Sequence, residues 1–121
     1  MDRNASSANI GYKFECLVRE IIKKNNFQID DSSQRDNFDF IVSLGRQKFA
    51  TEIKYYRTQR AQVSLLKIAA ARLAISSDHT NTLGVLIISS KLEPNVRDAL
   101  ESEYDIILAD QDDLILWYIL D

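Results

Sequence analysis

Apolar residues change their spacing several times along this chain, and each spacing selects an element. From Ile10 to Asn25 the apolar positions Ile10, Phe14, Leu17, Val18, Ile21 and Ile22 recur every three or four residues, which predicts an amphipathic helix. Ser7 or Asn9 is placed to cap it, and residues 1–9 before the stripe are polar and expected to fray. Lys23 and Lys24 suit the negative end of the helix dipole, and Asn25-Asn26 suits its stop. Phe27-Gln28-Ile29 reads as a short strand and 30–37 as a polar loop.

Next come two β-prone runs, Phe38-Asp39-Phe40-Ile41-Val42 and Phe49 to Tyr56, joined by a turn-like piece around Gly45. They predict a β-hairpin with a few residues in its loop. A second helix is expected from about Gln59 to Ile75, burying Val63, Leu66, Ala69, Ala70, Leu73 and Ala74. Leu83 to Ser89 is almost continuously apolar, as in a strand covered on both faces. Pro94 opens a third helix running to about Glu103, Tyr104 to Ala109 is a further strand, and Asp110 can cap a last helix from Gln111 to Leu120. The order is α-β-β-β-α-β-α-β-α: an α/β chain with a central mixed sheet flanked by helices. Leu114 to Leu120 is apolar all round, which suits a buried helix, a strand or a contact with another chain.

The 121 residues suffice for one domain, either a whole protein or one domain of a longer one. No run of 18 apolar residues or signal-peptide core is present, so a cytoplasmic location with no membrane partner is expected. Single residues of cysteine (Cys16) and histidine (His79) exclude an internal disulfide, a cysteine zinc cluster and histidine-based nucleophile pairs. The net charge is −3, but Arg46 to Arg72 holds seven basic residues and one acid, hence +6, which leaves −9 for the remainder. A basic stretch of that kind can attract a polyanion.

The hairpin also carries charges where a strand normally hides none. Glu52 and Lys54 point to one face and Ile53 to the other. If the strands pair so that Asp39 lies near Glu52, two carboxylates and one ammonium converge. Two carboxylates that close favour a bridging hard cation such as Mg²⁺. Asp36 is a rival for the first acid but sits in the loop. Glu15 lies at the edge of the first helix's apolar stripe, where it either faces the sheet or pairs with Arg19 one turn on.

Asp39, then twelve intervening residues, then Glu52-Ile53-Lys54 resembles the D…ExK signature of the PD-(D/E)xK nuclease superfamily, in particular its Mrr-like restriction endonuclease branch. Gly11-Tyr12-Lys13-Phe14-Glu15 resembles that branch's GxxFE segment, and Ile106 to Leu120 its strand, acidic turn and apolar helix. Phe38 stands where many relatives have proline, and Glu52 where many carry glutamine. The resemblance implies a restriction-endonuclease-like fold and Mg²⁺-dependent phosphodiester hydrolysis, with Mn²⁺ as a substitute. It implies Asp39, Glu52, Glu15 and the Ile53 carbonyl as metal ligands, and Lys54 as the group that orients water and stabilises the transition state. Arg57, Gln59, Arg60, Gln62 and Lys67 are then expected to contact nucleic acid, double-stranded DNA above all. A homodimer is compatible with the resemblance, an added domain or subunit would supply specificity, and defence against foreign DNA is the implied setting. The alternative is a non-catalytic nucleic-acid-binding or protein-assembly domain on the same fold.

Overall fold

The computed structural model describes residues 3–31 and 38–119, with side chains from Asn9 onward. Its elements are α1 (Arg3–Lys24), β1 (Gln28–Asp31), β2 (Phe40–Leu44), β3 (Gln47–Lys54), α2 (Val63–His79), β4 (Leu83–Ile88), α3 (Pro94–Tyr104), β5 (Ile107–Ala109) and α4 (Gln111–Ile119). Their order matches the one the apolar periods predict.

The five strands form one sheet in sequence order. β2 runs antiparallel to both its neighbours, β1 and β3, whereas β4 pairs parallel with β3 and β5 parallel with β4. A two-residue turn, Gly45-Arg46, closes the β2–β3 hairpin, where Leu44 pairs with Gln47. Gly45 sits at φ 61°, a left-handed conformation that glycine adopts without steric cost.

Each face of the sheet has its own core. Val18, Ile21 and Ile22 of α1 and Leu114 of α4 pack on Phe40, Val42, Ile87 and Ala109. Leu66, Ala69, Ala70 and Leu73 of α2 and Leu100 of α3 pack on Phe38, Ala50, Leu86 and Ile88. Burying a large aliphatic side chain in this way contributes about 1.5–3 kcal/mol. The alternation along β3 is as expected: Ile53 joins the α1 core, while Ala50 belongs to the α2 core.

Several boundaries differ from those expected. β1 is Gln28–Asp31, so Asp30 and Asp31 belong to a strand and not to the polar loop. β2 is Phe40–Leu44 rather than 38–42, β3 is Gln47–Lys54 rather than 49–56, and α2 runs on to His79, past the expected end at Ile75. The first helix begins at Arg3, so Ser7 and Asn9 lie within it and cap nothing. Its first two turns are polar and lack the apolar period that marks the remainder. The second helix begins at Val63, not Gln59, and Val63 is exposed. Residues 57–62 are held instead by a bridge between Arg60 and Lys91 and by bonds from the Ala61 N–H to the Lys91 carbonyl (3.2 Å) and the Lys91 N–H to the Gln59 carbonyl (2.8 Å). Those partners lie more than 30 residues away in sequence. β5 begins at Ile107, shorter than the run from Tyr104, because α3 continues through Tyr104 and ends on Asp105 in the left-handed region.

The last helix is capped as its sequence suggests. Asp110 Oδ1 accepts the N–H groups of Asp112 (3.1 Å) and Asp113 (3.3 Å), and Asp113 Oδ2 accepts that of Asp110 (2.9 Å). Among the described residues of its apolar run only Leu114 is buried; Ile115, Leu116, Tyr118 and Ile119 are exposed.

Candidate active site

The hairpin register decides the site. Phe40 of β2 pairs with Thr51 of β3. Asp39 therefore stands one residue outside β2, beside Glu52. It does not continue the ladder as a strand residue. Its N–H donates to the Thr51 carbonyl (3.0 Å), and its side-chain Oδ2 accepts the N–H of Ile53 (2.7 Å). A carboxylate oxygen thus takes the place of a backbone acceptor where the partner strand leaves off. This bond fixes the direction of the Asp39 carboxylate.

Asp39, Glu52 and Lys54 line one open cleft of about 640 Å³ with Phe38, Tyr56, Leu65, Ile68, Ala69, Arg72 and Ile75. The sheet forms its floor and α2 forms one wall. A second hollow, about 290 Å³, lies on the opposite face of the sheet among Ile21, Phe27, Phe49, Val85, Ile107 and Trp117. No titratable side chain lines that second hollow.

Electrostatics single out Glu52. Burial pushes its carboxyl up to about 8, helped by a hydrogen bond shared with Asp39 and by the charge of Asp39. Lys54 pulls the other way and Glu15 adds to the rise. Glu52 therefore holds a proton in the hydrogen bond it shares with Asp39. Tyr56 is also raised, first by burial and then by the charge of Glu52.

The first helix brings Glu15 within electrostatic reach. Gly11 passes 3.9 Å from the Tyr55 Cβ at the position a side chain would occupy, and Phe14 tilts against the Tyr55 ring at 6.0 Å between centroids. These contacts dock the helix on the chain that leaves β3. Glu15 pairs with Arg19 (3.7 Å), which also reaches Asp31 (3.1 Å) and lies over the Phe40 ring (4.5 Å). Among the described residues, no three acids, histidines or cysteines are grouped to hold a metal ion. The paired acids at this cleft are Asp39 and Glu52. Asp36, the rival acid, lies outside the described residues.

The residues expected to meet nucleic acid divide by element. Arg57, Gln59 and Arg60 lie on the extended segment before α2, Gln62 is its N-cap residue, and Lys67 lies on α2; all are exposed. Arg60 pairs with Glu93 at 2.8 Å on the surface. Arg72 lines the cleft itself, although the sequence drew attention only to its charge. Its position two turns after Leu65 and one turn after Ile68 is the periodic signal that could have found it. Tyr55 and Tyr56 are both half-buried, and Ser89 clasps the backbone of Tyr56: its Oγ accepts the Tyr56 N–H (2.7 Å) and donates to the Tyr56 carbonyl (3.0 Å).

A mixed five-stranded sheet between helices, with an acid pair and a lysine at the end of its hairpin, is the architecture of the restriction-endonuclease-like fold. The Mrr_cat family model, restriction endonuclease, matches residues 7–118, and the chain belongs to that family. The fold is also similar to the crystal structure of AF1548, a protein of unknown function, with a TM-score of 0.61 and 13% identity. That match covers 78% of this chain and 54% of the other, so this chain spans about half the length of its structural neighbour. No curated protein matches. The family implies a nucleic acid substrate, and its members generally use divalent metals. No described helix is long and apolar enough to cross a membrane.

Proposed function

We propose that this chain is a metal-dependent DNA endonuclease that hydrolyses phosphodiester bonds at the Asp39–Glu52–Lys54 cleft. The observation that carries the reading is the convergence of those three side chains, within a restriction-endonuclease family domain, in an open cleft.

The donor set fits a hard divalent cation. Burial, then the neighbouring Asp39 carboxylate, keeps the proton on Glu52 to about pH 8, and an oxygen-seeking ion such as Mg²⁺ or Mn²⁺ offsets the charge of the two acids once both are ionised. Asp39 and Glu52 are the proposed ligands, with the Ile53 carbonyl beside them and Glu15 acting from α1. When bound, the ion polarises the scissile phosphate and offsets its developing charge. Asp39 is oriented for this role by the Ile53 N–H. Glu52 must release its proton to serve as a ligand, so loading is coupled to pH. Lys54, beside the acid pair, orients the attacking water and stabilises charge on the phosphoryl oxygens. Arg57, Arg60, Lys67, Gln59 and Gln62 supply phosphate contacts on the approach to the cleft. A role in defence against foreign DNA rests on the family alone.

The test is incubation with plasmid, linear duplex and single-stranded DNA in Mg²⁺, Mn²⁺ or EDTA. Cutting in the metals and none in EDTA is expected. Intact DNA under every metal would overturn the reading and leave a non-catalytic nucleic-acid-binding domain. An assembly role keeps one observation in its favour, the exposed Ile115, Leu116, Tyr118 and Ile119 of α4. Light scattering tests it by showing whether the chain self-associates, and a monomer would count against a homodimer.

A further inference from the structure

Three features compete for a further reading: the apolar surface of α4, the apolar hollow behind the sheet, and the α2 wall of the candidate active site. Nothing indicates what covers the first two. The third stands against the charged groups just described, and this limits what can occupy it.

The α2 wall is unusual for a phosphate-handling cleft. Leu65, Ile68, Arg72 and Ile75 recur at spacings of three and four, so they form one stripe along the helix. Their neighbours Leu66, Ala69, Ala70 and Leu73 already supply the buried face. Yet Leu65, Ile68 and Ile75 remain 44%, 54% and 63% exposed while they line the cleft. Apolar side chains held in water opposite charged groups mark a binding surface. Across the cleft lies Tyr56, held through its backbone by Ser89. The cations of the cleft are Lys54 and Arg72.

This composition poorly suits a duplex lying along the wall. A duplex turns its phosphates outward, and laying that charged edge on Leu65, Ile68 and Ile75 would strip water from it with Arg72 as the wall's own cation. An unpaired strand offers something different. Its phosphates can follow Lys54 and Arg72 while its bases turn aside onto apolar and aromatic side chains, the usual arrangement of single-strand grooves. A cleft of about 640 Å³ is also of the size that encloses a small organic ligand.

We infer that the cleft takes its strand unpaired, with nucleobases seated against the Leu65–Ile68–Ile75 stripe and Tyr56, and the backbone turned toward Lys54 and Arg72. The preferred substrate is then single-stranded DNA, or a flap, gap or frayed end within a duplex. This rests on the nuclease reading for cleavage, but the binding preference follows from the wall itself.

The experiment uses the full chain and four fluorescent oligonucleotides of one sequence: single-stranded, perfectly paired, gapped and flapped. Cleavage is followed in Mn²⁺ and binding by anisotropy in EDTA. The expected result is at least about tenfold tighter binding of the single strand than of the duplex, with cuts confined to unpaired segments. Ile68→Ser and Ile75→Ser lie on the exposed face, and each should lower the single-strand to duplex ratio several-fold. Circular dichroism separates loss of folding, which would weaken both substrates together, and an unmoved ratio in a folded variant overturns the inference. Equal or better binding and cutting of perfect duplex also overturns it. A dimer dissolved by Ile68→Ser would show that a second copy covers the stripe, with the same consequence. If nothing is cut but the single-strand preference is present and falls with both variants, the inference stands and the nuclease reading fails.

Discussion

The carboxylate of Asp39 accepts the backbone N–H of Ile53 at 2.7 Å, so the first acid of the candidate site is also the last fastener of the β2–β3 hairpin. Its two roles should separate by mutation. Asp39→Ala leaves the part-buried Ile53 N–H without this acceptor, at a cost of about 1–3 kcal/mol, and removes a proposed metal ligand. Both stability and cleavage are expected to fall. Chemical denaturation checks the first and a plasmid-nicking assay the second. A variant as stable as wild type would show that the bond contributes nothing.

Lys54→Ala should behave differently. The side chain stands in the cleft and its backbone carries the strand bonds. Cleavage is expected to drop by roughly 10²–10³-fold, the usual effect of losing one electrostatic stabiliser. Thermal midpoint should be retained, and DNA binding should weaken far less than cleavage because Arg72, Arg57, Arg60 and Lys67 remain. Unchanged cutting would move the active site elsewhere.

Glu52 makes stability depend on pH in the metal-free protein. Its folded value is about 8 against an ordinary 4.5. Between those values the folded chain holds a proton that the unfolded chain has released. Each rise in pH through that window therefore removes stability, and the loss levels off above about pH 8. Melting temperature should fall from pH 5 to pH 8, and Glu52→Gln should flatten the decline. An identical slope in the variant would exclude Glu52 as its source.

A divalent ion should act in the opposite sense. It competes with the Glu52 proton, so its apparent affinity rises as pH approaches 8. At about a hundred times its dissociation constant a ligand adds about 2.7 kcal/mol of stability. Mn²⁺ is expected to raise the melting temperature more at pH 8 than at pH 6, and EDTA should reverse the gain. A Glu52→Gln variant that responds as strongly as wild type would remove Glu52 from the ligand set.

Gly84 of β4 offers a test of how α2 is seated. A Cβ there would come within 3.0 Å of Ile106 Cγ2, 3.1 Å of Leu73 Cγ and 3.2 Å of Ser77 Oγ. Gly84→Ala should cost about 1–3 kcal/mol by overpacking, read by denaturant titration. It should also push α2 outward and weaken catalysis, because α2 is a wall of the cleft. A neutral substitution would show that the contact yields freely.

The sequence carried the element order because each element buries a face, and burial imposes a period. It carried the pairing of Asp39 with Glu52 only as a condition on the register, because the two-residue turn at Gly45-Arg46 that sets it is a feature of the structure. Polar segments were less legible. Arg3 to Asn9 is helical without an apolar stripe, and residues 57–62 are extended because Lys91, distant in sequence, bonds to them. The cleft wall was hidden for a different reason. Leu65, Ile68 and Ile75 have the spacing of core residues, and only the docking of α2 on the sheet shows that they face the cleft. Arg72 lay in that same stripe and was legible only as charge.

The Ile53 N–H bond has a consequence for how such a domain would lose its activity over evolutionary time. Lys54 can be replaced at little cost to folding, and replacing Glu52 relieves a buried, repelled acid. Asp39 has structural work that outlasts catalysis. A lineage that abandoned cutting would therefore shed Lys54 or Glu52 early and keep Asp39 late. A surviving aspartate at this position, taken alone, would be a poor witness that a relative still cuts.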